Sequence, residues 1–280
     1  MFRFVDGEPA LILQTEAEKI LIVSDIHIGY EKSLEKKGIK IPSLTPRLSE
    51  RLEHISTKQQ PDRILLTGDI KHSIGKILPH EWQDIPEFFE KLLTLGPTVE
   101  VVPGNHDGSL KNLLPREVKL HSSRGVIMGE HMKALITHGH TWPAPIGFSV
   151  NLIIMGHNHF SVEFRESSGI RAVEPVWVVA RWDPEKMARE YLISKGVRHH
   201  GDPRSVFWER FNIEVGDPQI IIVPAFNPML GGMKINRVSI ERYISPILQH
   251  SGVDLKRAEV YLLDHTYLGQ SENLILSEVD

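Results

Sequence analysis

The sequence contains no cysteine. That excludes disulfides, thiolate metal sites and a cysteine nucleophile. It has no apolar run approaching the ~20 residues needed to span a bilayer. The first fifteen residues read as short alternating strands broken by Asp6-Gly7 and Pro9. They lack the basic stretch and sustained apolar run of a secretion signal. The expectation is therefore a cytoplasmic protein without membrane association. No internal repeat, low-complexity segment or flexible linker interrupts the 280 residues. Nor are basic residues in excess: 32 Lys and Arg face 36 Asp and Glu, a formal net charge of −4. No basic stripe stands out along the chain, so the overall field gives no argument for gripping long duplex nucleic acid.

What the chain does have is enough apolar residue, 41%, to bury a full core. Ile20–Ser24, Arg63–Thr67 and Thr98–Val102 are brief, β-branched runs bounded by turn residues, and they read as buried strands. Thr45–Ser56 and Pro79–Leu95 between them carry helical periodicity. Further on, Arg124–Met128, His131–Thr137, Asn151–Met155, Ser161–Arg165, Gly169–Val179 and Gln219–Val223 read mostly as strands. The expected architecture is α/β, a sheet sandwich with outer helices. A single domain over residues 1–280 is the simplest partition. It carries a helical insertion near 181–210, with a helix over Pro184–Lys195, mixed charge, and His199 and His200. A C-terminal extension from about residue 235 is expected to hold a helix over Ser239–His250 and a strand near Glu259–Leu263.

Five short motifs follow apolar strands in order. They are Asp25-Ile26-His27, Gly68-Asp69-Ile70-Lys71-His72, Gly104-Asn105-His106-Asp107, Thr137-His138-Gly139-His140 and Gly156-His157-Asn158-His159. Taken singly, each has a plain reading as a turn or a solvated loop, and for Asp-x-His and Gly-Asp that reading is the commoner one. Together they hold seven of the fifteen histidines, each just past the end of a strand, where α/β sheets place ligands. Strand ends gathered at one edge would bring Asp25, His27, Asp69, Asn105, His138, His157 and His159 together. Carboxylate, amide oxygen and imidazole suit Mn²⁺ first, with Fe²⁺, Zn²⁺ or Ni²⁺ as alternatives. Seven ligands exceed the needs of one ion and suit two divalent ions bridged by a carboxylate, about 3.5–4 Å apart.

This ordered set resembles the calcineurin-like metallophosphoesterase superfamily, whose pattern is Asp-x-His, Gly-Asp-x-x-Asp/His, Gly-Asn-His-Asp/Glu, a lone His, and Gly-His-x-His. The resemblance spans Ile20 to His159. Within the superfamily the chain looks most like an archaeal group related to the nuclease SbcD, with weaker support from Pro224-Ala225-Phe226-Asn227-Pro228 and Gly231-Gly232. It implies a four-layer β-sandwich flanked by helices. It also implies Asp25, His27 and His159 on one metal, Asn105, His138 and His157 on the other, and Asp69 bridging. Many members carry Asp where this chain has His72; nuclease-like members also carry His there.

The activity expected from these parts is hydrolysis of phosphate esters by a metal-activated hydroxide. His106 lies outside the ligand set and beside Asn105, so it is the candidate to protonate the leaving oxygen, with Asp107 orienting it. His72 is a second catalytic candidate, and His140 a substrate or supporting residue. Phosphodiesters are expected over monoesters, with a nucleotide or single-stranded nucleic acid as substrate. The rivals are a phosphomonoesterase, a one-metal hydrolase of other esters, and an interaction module on the same fold that has lost its metals. Metal-dependent activity and metal count separate them. Trp142 reads more readily as a packed aromatic than as a base-stacking platform, and the Pro224–Pro228 segment as a loop closing the sandwich.

Overall fold

Ile20, Leu21, Ile22 and Val23 are all fully buried, so both faces of their strand need a covering layer. The computed structural model describes residues 1–165, 169–198, 200–237, 243–250 and 252–276. One sheet runs in the order β1 (Phe2–Phe4), β2 (Ala10–Gln14), β3 (Lys19–Val23), β4 (Arg63–Thr67), β5 (Thr98–Val102), β6 (Lys119–Leu120). Strands β3 to β6 are parallel. Helices α1 (Tyr30–Glu35), α2 (Thr45–Gln59) and α3 (Glu81–Leu93) lie in the crossovers between them.

The second sheet is built from β7 (Val126–Met128), β8 (Ala134–Thr137), β9 (Leu152–Met155), β10 (Phe160–Arg165), β11 (Arg171–Arg181), β12 (Gln219–Ile222) and β13 (Met233–Lys234), in the order β13-β10-β11-β12-β9-β8-β7. A C-terminal pair, β14 (Glu259–Leu262) and β15 (Tyr267–Gln270), extends it by pairing β14 with β11. Strands β8, β9 and β12 are parallel. Helices α4 (Pro184–Ser194) and α5 (Pro203–Phe211) connect β11 to β12.

Alternation along the strands sorts the core into three sheets of side chains. Leu21, Val23, Ile64 and Leu66 meet Leu48, Leu52 and Ile55 of α2 and Ile85, Phe88, Phe89 and Leu92 of α3. Those helical positions recur at the three-and-four spacing of one apolar face. Ile20, Ile22 and Leu65 point the other way, onto Leu152, Ile154 and Ile221 of the second sheet. Ile153, Met155, Ile220 and Ile222 then face Met187, Ala188, Tyr191, Leu192 and Phe207 of α4 and α5. The result is the four-layer α/β sandwich expected. The helices of 181–210, although rich in charge, form its outer layer on the second sheet. Each buried Leu or Ile contributes roughly 1.5–3 kcal/mol relative to exposure. Among the described residues no helix is long and apolar enough to cross a membrane.

The helix expected over Ser239–His250 is a correction. Residues 239–242 lie outside the described residues, as does His199, and 243–250 form turns. Pro246 has no N–H to give a helix, and Ser245 donates its hydroxyl to Gly139 O at 2.6 Å. Burial of Tyr243, Ile247 and Leu248 in the outer core sets the path instead.

Candidate metal centre

Because β3, β4 and β5 are parallel, as are β8 and β9, the motif loops all leave the same end of the sandwich. Hydrogen bonds lock them across the two sheets. Ser24 Oγ donates to Thr67 O at 2.7 Å and to Asp25 Oδ2 at 2.6 Å. The His157 backbone N–H donates to Asp25 Oδ2 at 3.1 Å. Asp25, His27, Asp69, His157 and His159 all have positive φ, and they make up five of the nine such non-glycine residues among those described. Left-handed backbone costs an ordinary residue roughly 1–2 kcal/mol. Its concentration at one site is the mark of a geometry imposed for function.

Two groups of ligand atoms result, each lying within 4.8 Å of one another: Asp25, His27 and His159, and Asp69, His138 and His157. Asp69 Oδ2 lies 3.4 Å from His27 Nε2 and 3.3 Å from His138 Nε2, between the two groups. Its other oxygen, Oδ1, accepts the His106 backbone N–H at 2.9 Å. His138 donates Nδ1–H to Thr67 O at 3.1 Å, which turns Nε2 toward the centre, the orientation a ligating histidine takes. His157 Nδ1 is 3.1 Å from that Nε2. His159 Nε2 is 2.8 Å from Asp25 Oδ1, but the two are not aligned as a hydrogen bond. Asp25 Oδ1, His27 Nε2 and His159 Nε2 are buried and make no hydrogen bond to a described residue. Unpaired buried polar atoms are costly, and a cation satisfies all three, so the residues fit a metal. A third group, His27, His72 and His106, meets the same spacing.

Charge is divided unevenly. Burial pushes the Asp25 carboxyl up, but His159 and His138 outweigh it and hold it at about 2. Asp69 is likewise held below the usual carboxylate range, burial being outweighed by His138, His27 and His106. Burial lowers the His138 imidazole, yet Asp69 and Asp25 raise it to about 9. Burial dominates at His27, lowered to about 3 against the pull of Asp69 and Asp25. At His157 burial and then His138 lower it to about 3.

The description "Calcineurin-like phosphoesterase" matches residues 18–256. The chain belongs to that family. It is a metal-dependent hydrolase acting on phosphate esters. Among solved structures this phosphoesterase is similar to the nuclease MPE of Pseudomonas putida, at 16% identity over 94% of this chain and 98% of that one, TM-score 0.48. It is also similar to Yfce, a phosphoesterase from E. coli, at 19% identity over 53% of this chain and 74% of that one, TM-score 0.35.

The other candidate residues of the motifs lie around the two groups. Asn105 is exposed on the loop beside His106. His106 donates Nδ1–H to the His72 carbonyl at 2.6 Å, and its Nε2 is 3.8 Å from Asp69 Oδ2. His72 is half-buried; its Nδ1 is 3.2 Å from His27 Nδ1 and its ring stacks on His106 at 5.7 Å. Asp107 does not orient His106. Its carboxylate is buried and accepts backbone N–H from Ile70 at 2.8 Å, Lys71 at 3.2 Å and Gly104 at 2.7 Å. Three amides converging at two motif turns need an acceptor, and this need takes the carboxylate. Burial and then Asp69 push it up to about 6. His140 lies with its ring 5.3 Å from His138 and 6.1 Å from His157. Its buried Nδ1 makes no hydrogen bond to a described residue, and burial followed by His138 lowers it to about 4. Trp142 is a packed aromatic, 5.6 Å from Tyr191 and 6.3 Å from Phe148.

Sequence reasoning missed Ser24 and Asn227. Buried Asn227 donates its amide to Ile26 O at 3.0 Å, and Phe226 N donates to Ser24 O at 2.8 Å. The loop after β12 thus braces the first motif. An Asn between prolines read only as a turn, and nothing local in the sequence pointed to its partner 201 residues away.

Proposed function

We propose that this phosphoesterase hydrolyses phosphodiesters, of a nucleotide or a nucleic acid, at a centre for two divalent ions, Mn²⁺ by preference. Asp25, His27 and His159 would hold one ion, and Asn105, His138 and His157 the other, with the Asp69 carboxylate between the two sets. The observation that carries this reading is the position of Asp69 Oδ2, nearly equidistant from His27 Nε2 at 3.4 Å and His138 Nε2 at 3.3 Å. When bound, two such ions supply an acidified water and neutralise phosphate charge.

The chain's own residues supply orientation and the proton. Asp25 and Asp69 remain carboxylates at neutral pH, which supplies two anionic donors for a cation. The His72 carbonyl fixes the His106 tautomer with the proton on Nδ1 when the ring is neutral; when it is charged, Nε2–H faces the centre. That places a proton donor where a departing alkoxide needs one. When the bond from phosphorus to the ester oxygen breaks, that oxygen departs as an alkoxide and takes the proton, a help that matters most for the poor leaving groups of nucleotide diesters. His72, stacked on His106 at the open side, adds a second imidazole there. Asp107 acts through the backbone and His140 beside the second group.

Two measurements test the reading. Metal analysis of purified protein should give close to two transition ions per chain, and Asp69→Asn should lower occupancy of both. The kcat/KM for bis-nitrophenyl phosphate should exceed that for nitrophenyl phosphate. A ratio below one would make this a monoesterase, and full metal with full activity in Asp69→Asn would remove the bridge.

A further inference from the structure

The basic residues of this acidic chain are not spread evenly in space. Residues 28–40 and 71–80 together hold six Lys against two Glu. They are separate in sequence, and the fold joins them. Ile28 bridges to Lys71, and the His72 backbone N–H donates to Ile28 O at 2.9 Å. The Tyr30 ring meets the His72 ring edge-on at 5.1 Å. A side chain at Gly29 would press on His80 Nε2. Helix α1 and the loop after His72 therefore lie side by side at the mouth of the metal centre. The charge of Lys36 reaches the His72 ring, adding to burial and His106 in lowering its pKa.

Both acids of this region are used or hidden. Glu31 is buried, and Glu35 pairs with Lys32 at 3.3 Å. Lys71 is buried and donates to the Ser73 carbonyl. Lys36, Lys37, Lys40 and Lys76 remain exposed, with no ion pair to a described residue. Apolar side chains are exposed among and just beyond them: Ile39 at 54%, Ile74 at 72% and Trp82 at 55%. These four ammonium groups have no carboxylate partner among the described residues, and a polyanion supplies one while releasing its counterions. An exposed indole offers a face on which an unpaired base stacks. A single phosphate monoester needs neither feature.

We propose that Lys36, Lys37, Lys40, Lys76 and Trp82 form a docking track for single-stranded nucleic acid flanking the bond held at the metal centre. The proposal rests on the phosphodiester reading above and narrows its substrate. The lysines grip phosphates without regard to sequence, and Trp82 favours unpaired over paired bases.

The test uses the full-length, metal-loaded protein and the combined variant Lys36→Glu, Lys37→Glu, Lys40→Glu, Lys76→Glu, with melting temperature as the fold control. Binding of a labelled single-stranded oligonucleotide and of its duplex is followed by anisotropy over a salt series, in Ca²⁺ to prevent turnover. The wild type should prefer the single strand. The variant should bind it at least tenfold more weakly, and the slope of log affinity against log salt should fall by about 3, the value for four lost phosphate contacts on a single strand. Trp82→Ala should weaken binding with the salt slope unchanged. Equal oligonucleotide affinity and slope in the charge variant would overturn the track, and equal affinity for duplex would overturn the strand preference. Failure of the wild type to cleave any diester would instead strike the phosphodiester reading, which the binding series does not depend on.

Discussion

His27 Nδ1 and His72 Nδ1 face each other at 3.2 Å, so one proton lies between two nitrogens. For His27 Nε2 to serve as a metal ligand, His27 must carry that proton on Nδ1 and His72 must accept it. His72→Phe leaves a buried N–H without an acceptor. Metal affinity at the Asp25–His27–His159 group should fall roughly 10–100-fold, the usual cost of losing a partner behind a ligand. His72→Asn, which keeps an acceptor, should recover part of it. Mn²⁺ titration of the three proteins decides the point; equal affinity in the Phe variant would leave the pairing without consequence.

His106 is tethered through Nδ1 to the His72 carbonyl rather than to a carboxylate. His106→Ala should leave metal content nearly intact and lower kcat by roughly 10²–10⁴-fold. The deficit should shrink with nitrophenolate as leaving group, which departs without help. An equal deficit for good and poor leaving groups would show that His106 positions phosphate instead.

Metal uptake should release a proton from His138. Asp69 and Asp25 raise this imidazole to about 9, so in the metal-free protein it is charged at pH 7.5, and its Nε2 must deprotonate to bind a cation. His27 and His157, both lowered to about 3, are already neutral and release none. Metal affinity should therefore fall steadily as pH drops below about 9. Calorimetry of Mn²⁺ binding at pH 7.5, in buffers of differing ionisation enthalpy, should report at least one proton released per chain, from His138 and from the charged fraction of His159, whose imidazole Asp25 raises against burial. No proton release would mean that His138 is neutral before metal arrives.

Two glycines in the motif loops should differ sharply. A Cβ at Gly156 would collide with Ser24 Oγ and the Asp25 carboxylate, whereas one at Gly108 meets nothing within 4 Å. Gly156→Ala should lower stability by about 1–3 kcal/mol, the range for overpacking a tight site, and weaken metal binding by displacing Asp25. Gly108→Ala should do neither. Thermal melts in EDTA separate the two effects, and a wild-type melt for Gly156→Ala would show that the sheets part there easily.

The strands that carry the site were legible because they are buried on both faces. Arg63–Thr67 and Thr98–Val102 read as strands from the sequence, and β4 and β5 have those bounds, since unbroken β-branched runs have no helical alternative of that length. The five motifs were legible for a related reason: each sits where an apolar run stops. Short elements were not. Helix α1 has six residues, too few to show a period, and it starts from Gly29 in a left-handed turn.

The sequence by itself determined the family, the ordered motifs that offer candidate ligands and the layered α/β architecture, because these depend on residue type and on order along the chain. Only the tertiary structure decided that Asp107 serves three backbone amides, that His106 leans on the carbonyl of His72, and that Asn227 braces the first motif. It also decided that lysines from two separate segments share one rim, where the linear sequence shows no basic stripe. Each of these is a contact between loops brought to one end of the sandwich by parallel strands. The partners are set by where the strands end in space, and distance along the chain carries no record of it.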